Sequence, residues 1–151
     1  MGLRKTGHFA RTALLLATVL MTPLLAGCSD DDDNIPTEIL ATWQLQEFIL
    51  DGGATTKVDD PAKYTVEFKN DGNAHIKADC NNCNGSYFVD GMNLSFGAMA
   101  CTLAACPPGS FDAQFTGALS TVASYEIQNG ALFLKYQGGE LRMTPEPTLF
   151  Q

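Results

Sequence analysis

From Thr42 onward, apolar and polar residues mostly alternate, and a period of two marks strands with one buried face. Trp43 and Leu45 alternate with Thr42, Gln44 and Gln46, and Tyr64, Val66 and Phe68 with Thr65, Glu67 and Lys69. Asn70-Asp71-Gly72-Asn73 turns the chain into Ala74 to Ala78, a hairpin. A second hairpin joins Tyr87-Phe88-Val89 to Met92–Phe96 through Asp90-Gly91. A third joins Tyr125-Glu126-Ile127 to Leu132–Tyr136 through Asn129-Gly130, and Gly138-Gly139 leads on to Leu141-Arg142-Met143. One segment has another period: Phe111, Phe115, Ala118-Leu119 and Val122 fall at helical spacing behind Pro107-Pro108, with Ser110 as N-cap. The pattern predicts a mainly β (α+β) fold, an antiparallel barrel-like curved sheet with one helix over about Ser110 to Val122. Trp43, Phe68, Phe96, Phe115 and Leu134 are the expected core.

The first residues follow a different logic. Arg4, Lys5 and Arg11 precede an apolar run from Ala13 to Ala26, the order of a secretory signal. The run is shorter than the roughly 20 residues a bilayer span needs. It ends in Leu25-Ala26-Gly27-Cys28, which resembles the lipobox of bacterial lipoproteins. The resemblance implies acylation of Cys28, cleavage before it, and anchoring of the mature chain in a membrane by lipid. Ser29-Asp30-Asp31-Asp32-Asp33 follows. Four adjacent carboxylates repel one another and read as a solvated tether, able to lift a domain by about 30 Å. Contiguous acids without the alternating ligands and glycine of a calcium loop do not read as a calcium site. The lipoprotein resemblance implies the outer membrane, since Ser29 rather than the inner-membrane retention signal Asp of some enteric lipoproteins follows Cys28, and the acidic tract resembles the surface-export signal of Bacteroidetes lipoproteins. The expected organisation is a signal over 1–27, a tether over 28–38, one domain over 39–146 and a tail over 147–151.

Charge narrows the partners. Loss of the signal takes three of the 9 basic residues and none of the 17 acidic ones. The mature chain is left at about −11, opposite to the basic footprint that nucleic acid requires. Such a chain also repels anionic lipid, so the acyl groups must supply the membrane affinity.

Cys80, Cys83, Cys101 and Cys106 remain after lipidation. An even number in an exported domain reads as two disulfides, with three possible connectivities. A zinc site and a redox Cys80-x-x-Cys83 are the competing uses; an oxidising compartment disfavours the first, and the missing strand-to-helix context the second. If the two cysteine segments lie antiparallel, pairing Cys80 with Cys106 and Cys83 with Cys101 keeps the sum of residue numbers nearly constant, as apposed strands require.

Asp79-Cys80-Asn81-Asn82-Cys83-Asn84-Gly85-Ser86-Tyr87 resembles the Gly-Cys-Asn-x-x-x-Gly-Ser-Tyr box of the META domain, also called the HslJ-like family. Leu94-Ser95-Phe96-Gly97, then Thr102-Leu103-Ala104-Ala105-Cys106-Pro107, resembles its second box, and Trp43 its opening Trp-x-Leu strand. The resemblance covers roughly Leu40 to Thr144 and makes Asn81, Gly85, Ser86, Tyr87 and Trp43 family-motif residues. It places Cys80 and Cys106 on the family's recurrent cysteines, with Cys83 and Cys101 as an added bridge. Asp79 stands where the family has Gly, Asn82 and Leu103 where it has Arg, and Ala104 where it has Met.

The resemblance implies a bacterial envelope protein, in some members linked to stress, with no common reaction. The residues agree in offering no catalytic set. His75 sits on a polar strand position, Ser86 and Ser95 have no evident His partner, and Asp59, Asp60 and Glu67 form no glycosidase pair. The expectation is a non-catalytic, lipid-anchored envelope module, without cofactor or metal, that binds an envelope protein or small ligand. A thiol–disulfide oxidoreductase or chaperone using Cys80 and Cys83 is the alternative.

Overall fold

The computed structural model describes residues 35–147 together with Gly2. Cys28, the rest of the expected signal, the acidic run and residues 148–151 lie outside the described residues. The chain divides into two units, Met1–Asp31 and Asp32–Gln151, and the second holds all the elements that follow.

Among the described residues, nine strands and one helix follow in the order β1 (Thr42–Leu50), β2 (Thr55–Lys57), β3 (Tyr64–Phe68), β4 (Asn73–Ala78), β5 (Asn81–Asp90), β6 (Asn93–Cys101), α1 (Asp112–Leu119), β7 (Val122–Gln128), β8 (Ala131–Tyr136) and β9 (Gly139–Pro145). From β3 to β9 each strand pairs with the next, always antiparallel. β1 pairs with β3 through Thr42–Gln44 and with β9 along its other edge, so eight strands close into a barrel. β2 takes over from β3 beside the second half of β1, at Glu47–Ile49.

Local chemistry accounts for much of this. Asn129 and Gly130 both have positive φ, 52° and 76°, the backbone of a two-residue turn matched to strand twist. In β3, Tyr64, Val66 and Phe68 are buried and the residues between them are not. In β1 the inward phase shifts: Trp43 and Leu45 are buried, then Phe48 rather than Glu47, because a bulge falls between Leu45 and Glu47. The bulge keeps the phenyl ring inside and turns Glu47 outward, where it pairs with Arg142 at 3.2 Å. An eight-stranded barrel is just wide enough for its side chains to fill. Here Leu45, Phe48, Val66, Ile76, Leu132, Leu134, Leu141 and Met143 are fully buried.

The helix is shorter than its sequence pattern suggests. It spans Asp112–Leu119, and Val122 opens β7 instead, opposite Tyr136. Ser110 does not occupy the N-cap position; Phe111 does, and Ser110 Oγ accepts the Asp112 N–H at 3.2 Å one residue earlier. Phe115, Ala118 and Leu119 form the buried face, with Phe115 edge-on to Tyr64 at 5.9 Å. Of the five expected core residues, Trp43, Phe68, Phe115 and Leu134 are buried, while Phe96 is half-buried against Phe68. β5 and β6 run further than their apolar stretches, because β5 starts with Asn81 and β6 ends in small residues and Cys101.

Candidate functional site

Cys83 and Cys101 face each other across β5 and β6, with their Cα atoms 4.0 Å apart, and are joined by a disulfide. A second disulfide joins Cys80, in the β4–β5 turn, to Cys106, so the bridges nest. Between Cys101 and Cys106 the chain leaves the sheet, and Asn81 holds it. Asn81 is buried at 6% exposure, and its Oδ1 accepts the Ala104 N–H at 2.8 Å and the Thr102 hydroxyl at 3.0 Å. Its amide nitrogen donates to Ala104 O at 3.1 Å and to Asp112 Oδ2 at 3.2 Å. One side chain thus ties β5, the loop and the first turn of α1 together. Asn82 adds two bonds: its N–H donates to Thr102 Oγ1 at 3.0 Å, and its carbonyl accepts the Thr102 N–H at 2.9 Å. Outward from this anchorage stands Leu103, 95% exposed, followed by exposed Ala104 and Ala105.

The other motif residues are committed to packing. The β5–β6 register shifts between Gly85 and Tyr87, which brings β6 close. A Cβ on Gly85 would lie 3.0 Å from Ala98 O, and one on Gly97 would run into Ser86 Oγ. Tyr87 is buried edge-on to Phe68 at 4.9 Å, and its hydroxyl donates to Lys69 O at 2.6 Å. Burial, with a smaller contribution from the Asp71 charge, pushes that hydroxyl up to about 12. Trp43 Nε1 donates to Ile39 O at 2.9 Å, sealing the 3₁₀ turn Thr37–Ile39 onto the barrel. Asp79 adopts φ 55°, and its carboxylate lies 3.6 Å from Lys63 Nζ.

Elsewhere a half-open cleft of about 390 Å³ lies between the β3–β4 turn and β5, lined by Ile35, Asp71, Asn73, Tyr87, Phe88 and Val89 among others. Asp71 there is held below the usual carboxylate range, chiefly by its hydrogen bond with Asn73. His75 lies on β4 with Nδ1 2.9 Å from Asn84 Oδ1. Among the described residues, no three His, Cys, Asp or Glu side chains converge to hold a metal ion. The four cysteines, Asn81 and Thr102 come together at one end; Gly85, Ser86 and Tyr87 lie further along β5, and Trp43 on β1. Leu103 stands out in the structure far more than in the sequence, where it is one departure from the family pattern. Its signal is an apolar triplet caught between two cysteines with Pro107-Pro108-Gly109 behind it.

Solved structures share the barrel at low identity. A protein from Burkholderia xenovorans, determined by NMR, is 22% identical with a TM-score of 0.61, over 75% of this chain and 87% of its own. A DUF4847-family protein from Bacteroides vulgatus is 15% identical with a TM-score of 0.53, over 70% and 92%. A lipocalin-like protein from Bacteroides uniformis is 18% identical with a TM-score of 0.50, over 72% and 99%. At such identities the likeness concerns the fold. No curated protein sequence matches. The META-domain family model matches residues 37–148, from the 3₁₀ turn sealed by Trp43 to just past the strand that closes the barrel. With its two boxes folded into the stapled end and the β5–β6 bulge, the chain belongs to the META-domain family.

Proposed function

We propose that this META-domain protein is a non-catalytic binding or stress-related scaffold module of the bacterial envelope, anchored by lipid at Cys28 in the outer membrane. The observation that carries this reading is the use of the motif residues. Asn81, Gly85, Tyr87 and Trp43 are each engaged in holding the barrel or its loop, and they present no reactive group. Two disulfides favour a compartment outside the cytoplasm. Redox use of Cys80 and Cys83 would join those two sulfurs to each other, whereas they stand in different bridges.

Two measurements on protein taken from its own envelope test this. Cys28→Ser should release the chain from membranes or leave its precursor uncut. Thiol titration should find the four domain cysteines blocked and resistant to mild reduction; a readily reduced, low-pKa thiol at Cys80 or Cys83 would support the oxidoreductase instead.

A further inference from the structure

The loop after β6 has two unlike edges. Its inner edge is bonded at Thr102, to Asn82, and at Ala104, to the Asn81 side chain. Residues two apart bonding to the same side is strand-like alternation. Leu103 and Ala105, between and beyond them, make no backbone hydrogen bond among the described residues. Leu103 also exposes 95% of its surface, and its neighbours Ala104 and Ala105 are too small to screen it. A large apolar side chain so placed is solvated at a cost, and the loop cannot fold it away. One disulfide fixes the chain before it, at Cys101, and another fixes the chain after it, at Cys106.

Resting on the binding-module reading above, we infer that Thr102–Ala105 is a substrate-like loop that enters the cleft of an endopeptidase with an apolar primary pocket, Leu103 filling that pocket. Peptidase clefts take an extended chain by pairing with its free backbone edge and accepting one side chain, the two things this loop offers outward. Holding the loop in the bound shape beforehand removes ordering entropy that a flexible peptide would lose on binding. The two bridges add a second property. If the enzyme cuts Leu103–Ala104, water adds its hydroxyl to the Leu103 carbonyl carbon and its proton to the Ala104 nitrogen. Neither new end can leave, because Cys101 holds one, and Cys106 together with Asn81 holds the other. The product stays in the cleft, and the reverse reaction is intramolecular. Such a loop occupies the enzyme rather than being consumed by it.

The test uses the full mature protein and three endopeptidases with apolar pockets, chymotrypsin, subtilisin and elastase. At least one should be inhibited with a constant of about 1 μM or tighter. Leu103→Asp should weaken that inhibition on the order of 30-fold or more, as loss of a central anchor does. Leu103→Arg should shift inhibition to trypsin, whose pocket takes a cation. Because Leu103 packs on nothing, both variants should keep the thermal midpoint of the parent, which separates lost binding from lost folding. Full activity of all three enzymes at about 10 μM protein overturns the inference, as does rapid cleavage of the loop with no inhibition. Thiol titration of the same sample tells the two failures apart. Blocked cysteines without inhibition sink only the peptidase partner, whereas reactive Cys80 or Cys83 sinks the binding-module reading beneath it.

Discussion

β6 has two unequal neighbours. Against β5 it pairs from Asn93 to Cys101 with a single interruption and gains a disulfide at the far end. Against β7 it registers only at Asn93 and Ser124, helped by the Tyr125 N–H donating to Met92 O at 3.0 Å. The ring of hydrogen bonds is thinnest where the chain departs for the loop and α1 between Cys101 and Val122. Neither disulfide spans that seam; both lie on the side that is already well paired. Leu94 on β6, and Val122 and Tyr125 on β7, are buried on either side of it. The contrast teaches that the covalent bonds serve the loop and not the closure of the barrel.

Removing the bridges is the strongest way to break that comparison. Replacing Cys80 and Cys106 together by Ala opens a loop that the chain-entropy model values on the order of 3–4 kcal/mol. Replacing Cys83 and Cys101 by Ala should cost less, since their loop lies inside one the outer bridge already constrains. Urea unfolding of both variants ranks them. An inner pair that costs as much as the outer would mean the bridges secure the β5–β6 strands themselves. Hydrogen exchange of the intact protein should show amides at the β6–β7 seam exchanging before those between β5 and β6.

Asn81→Ala comes next. It strips the partner from a buried-side anchorage and leaves the Ala104 N–H and O and the Thr102 hydroxyl without it. Thr102 and Ala104 are exposed, so water takes up part of the loss, and the cost should be the net worth of a few hydrogen bonds, on the order of 1–2 kcal/mol. Both disulfides should still form, so non-reducing peptide mapping separates this loss from a loss of bridging. A variant with unchanged stability would show that the bridges alone fix the loop.

How much of this was legible in the sequence depends on the range of the cause. The β3 alternation and the Asn129-Gly130 turn are set by adjacent residues and could be read directly. Residue arithmetic favours the nested cysteine pairing only on the supposition that the two segments lie antiparallel, and the β5–β6 register and the two bridges bear that out. The start of β5 was not, because Asn81 points inward and an inward asparagine reads as loop until its partners on the distant loop and α1 are known. Nor could alternation reveal the bulge that inverts β1 after Leu45, since it is a property of the β1–β9 pairing. The end of α1 is hidden for a similar reason: Val122 fits the helical period, but its pairing with Tyr136 decides its state.

Tyr87→Phe probes the packed middle of β5, away from the staples. It removes one hydrogen bond, to Lys69 O, at a cost of about 1 kcal/mol. It should also change the alkaline limb of stability. The folded hydroxyl is raised to about 12 from its ordinary 10, so its neutral form stabilises the fold fully below pH 10. That contribution is lost as pH climbs from 10 toward about 12. The phenylalanine variant should therefore lose less stability over that interval than the parent; what remains comes in part from Tyr125 and Tyr136, which burial also raises. Identical alkaline limbs would mean that Tyr87 is not sealed from water.

The smallest expected effect is at Asp79, in the turn that carries Cys80 to the outer bridge. Its φ of 55° lies where a Cβ crowds the backbone, a cost of about 1–2 kcal/mol that glycine avoids. Its N–H donates to Lys63 O at 2.7 Å, which any residue can do, while the carboxylate 3.6 Å from Lys63 Nζ is particular to Asp. An ion pair of that kind contributes at most about 1 kcal/mol, and glycine adds freedom to the unfolded chain worth about as much. These terms nearly cancel, so Asp79→Gly should leave stability within about 0.5 kcal/mol of the parent. Asp79→Ala keeps the crowded Cβ and loses the charge, so it should fall below both. The order Asp and Gly together with Ala lower, read from urea midpoints, would place the left-handed turn among the fixed supports of the loop. If Ala matched the other two, the turn would be free to relax, and the rigidity of the stapled end would have to come from Asn81 and the disulfides alone.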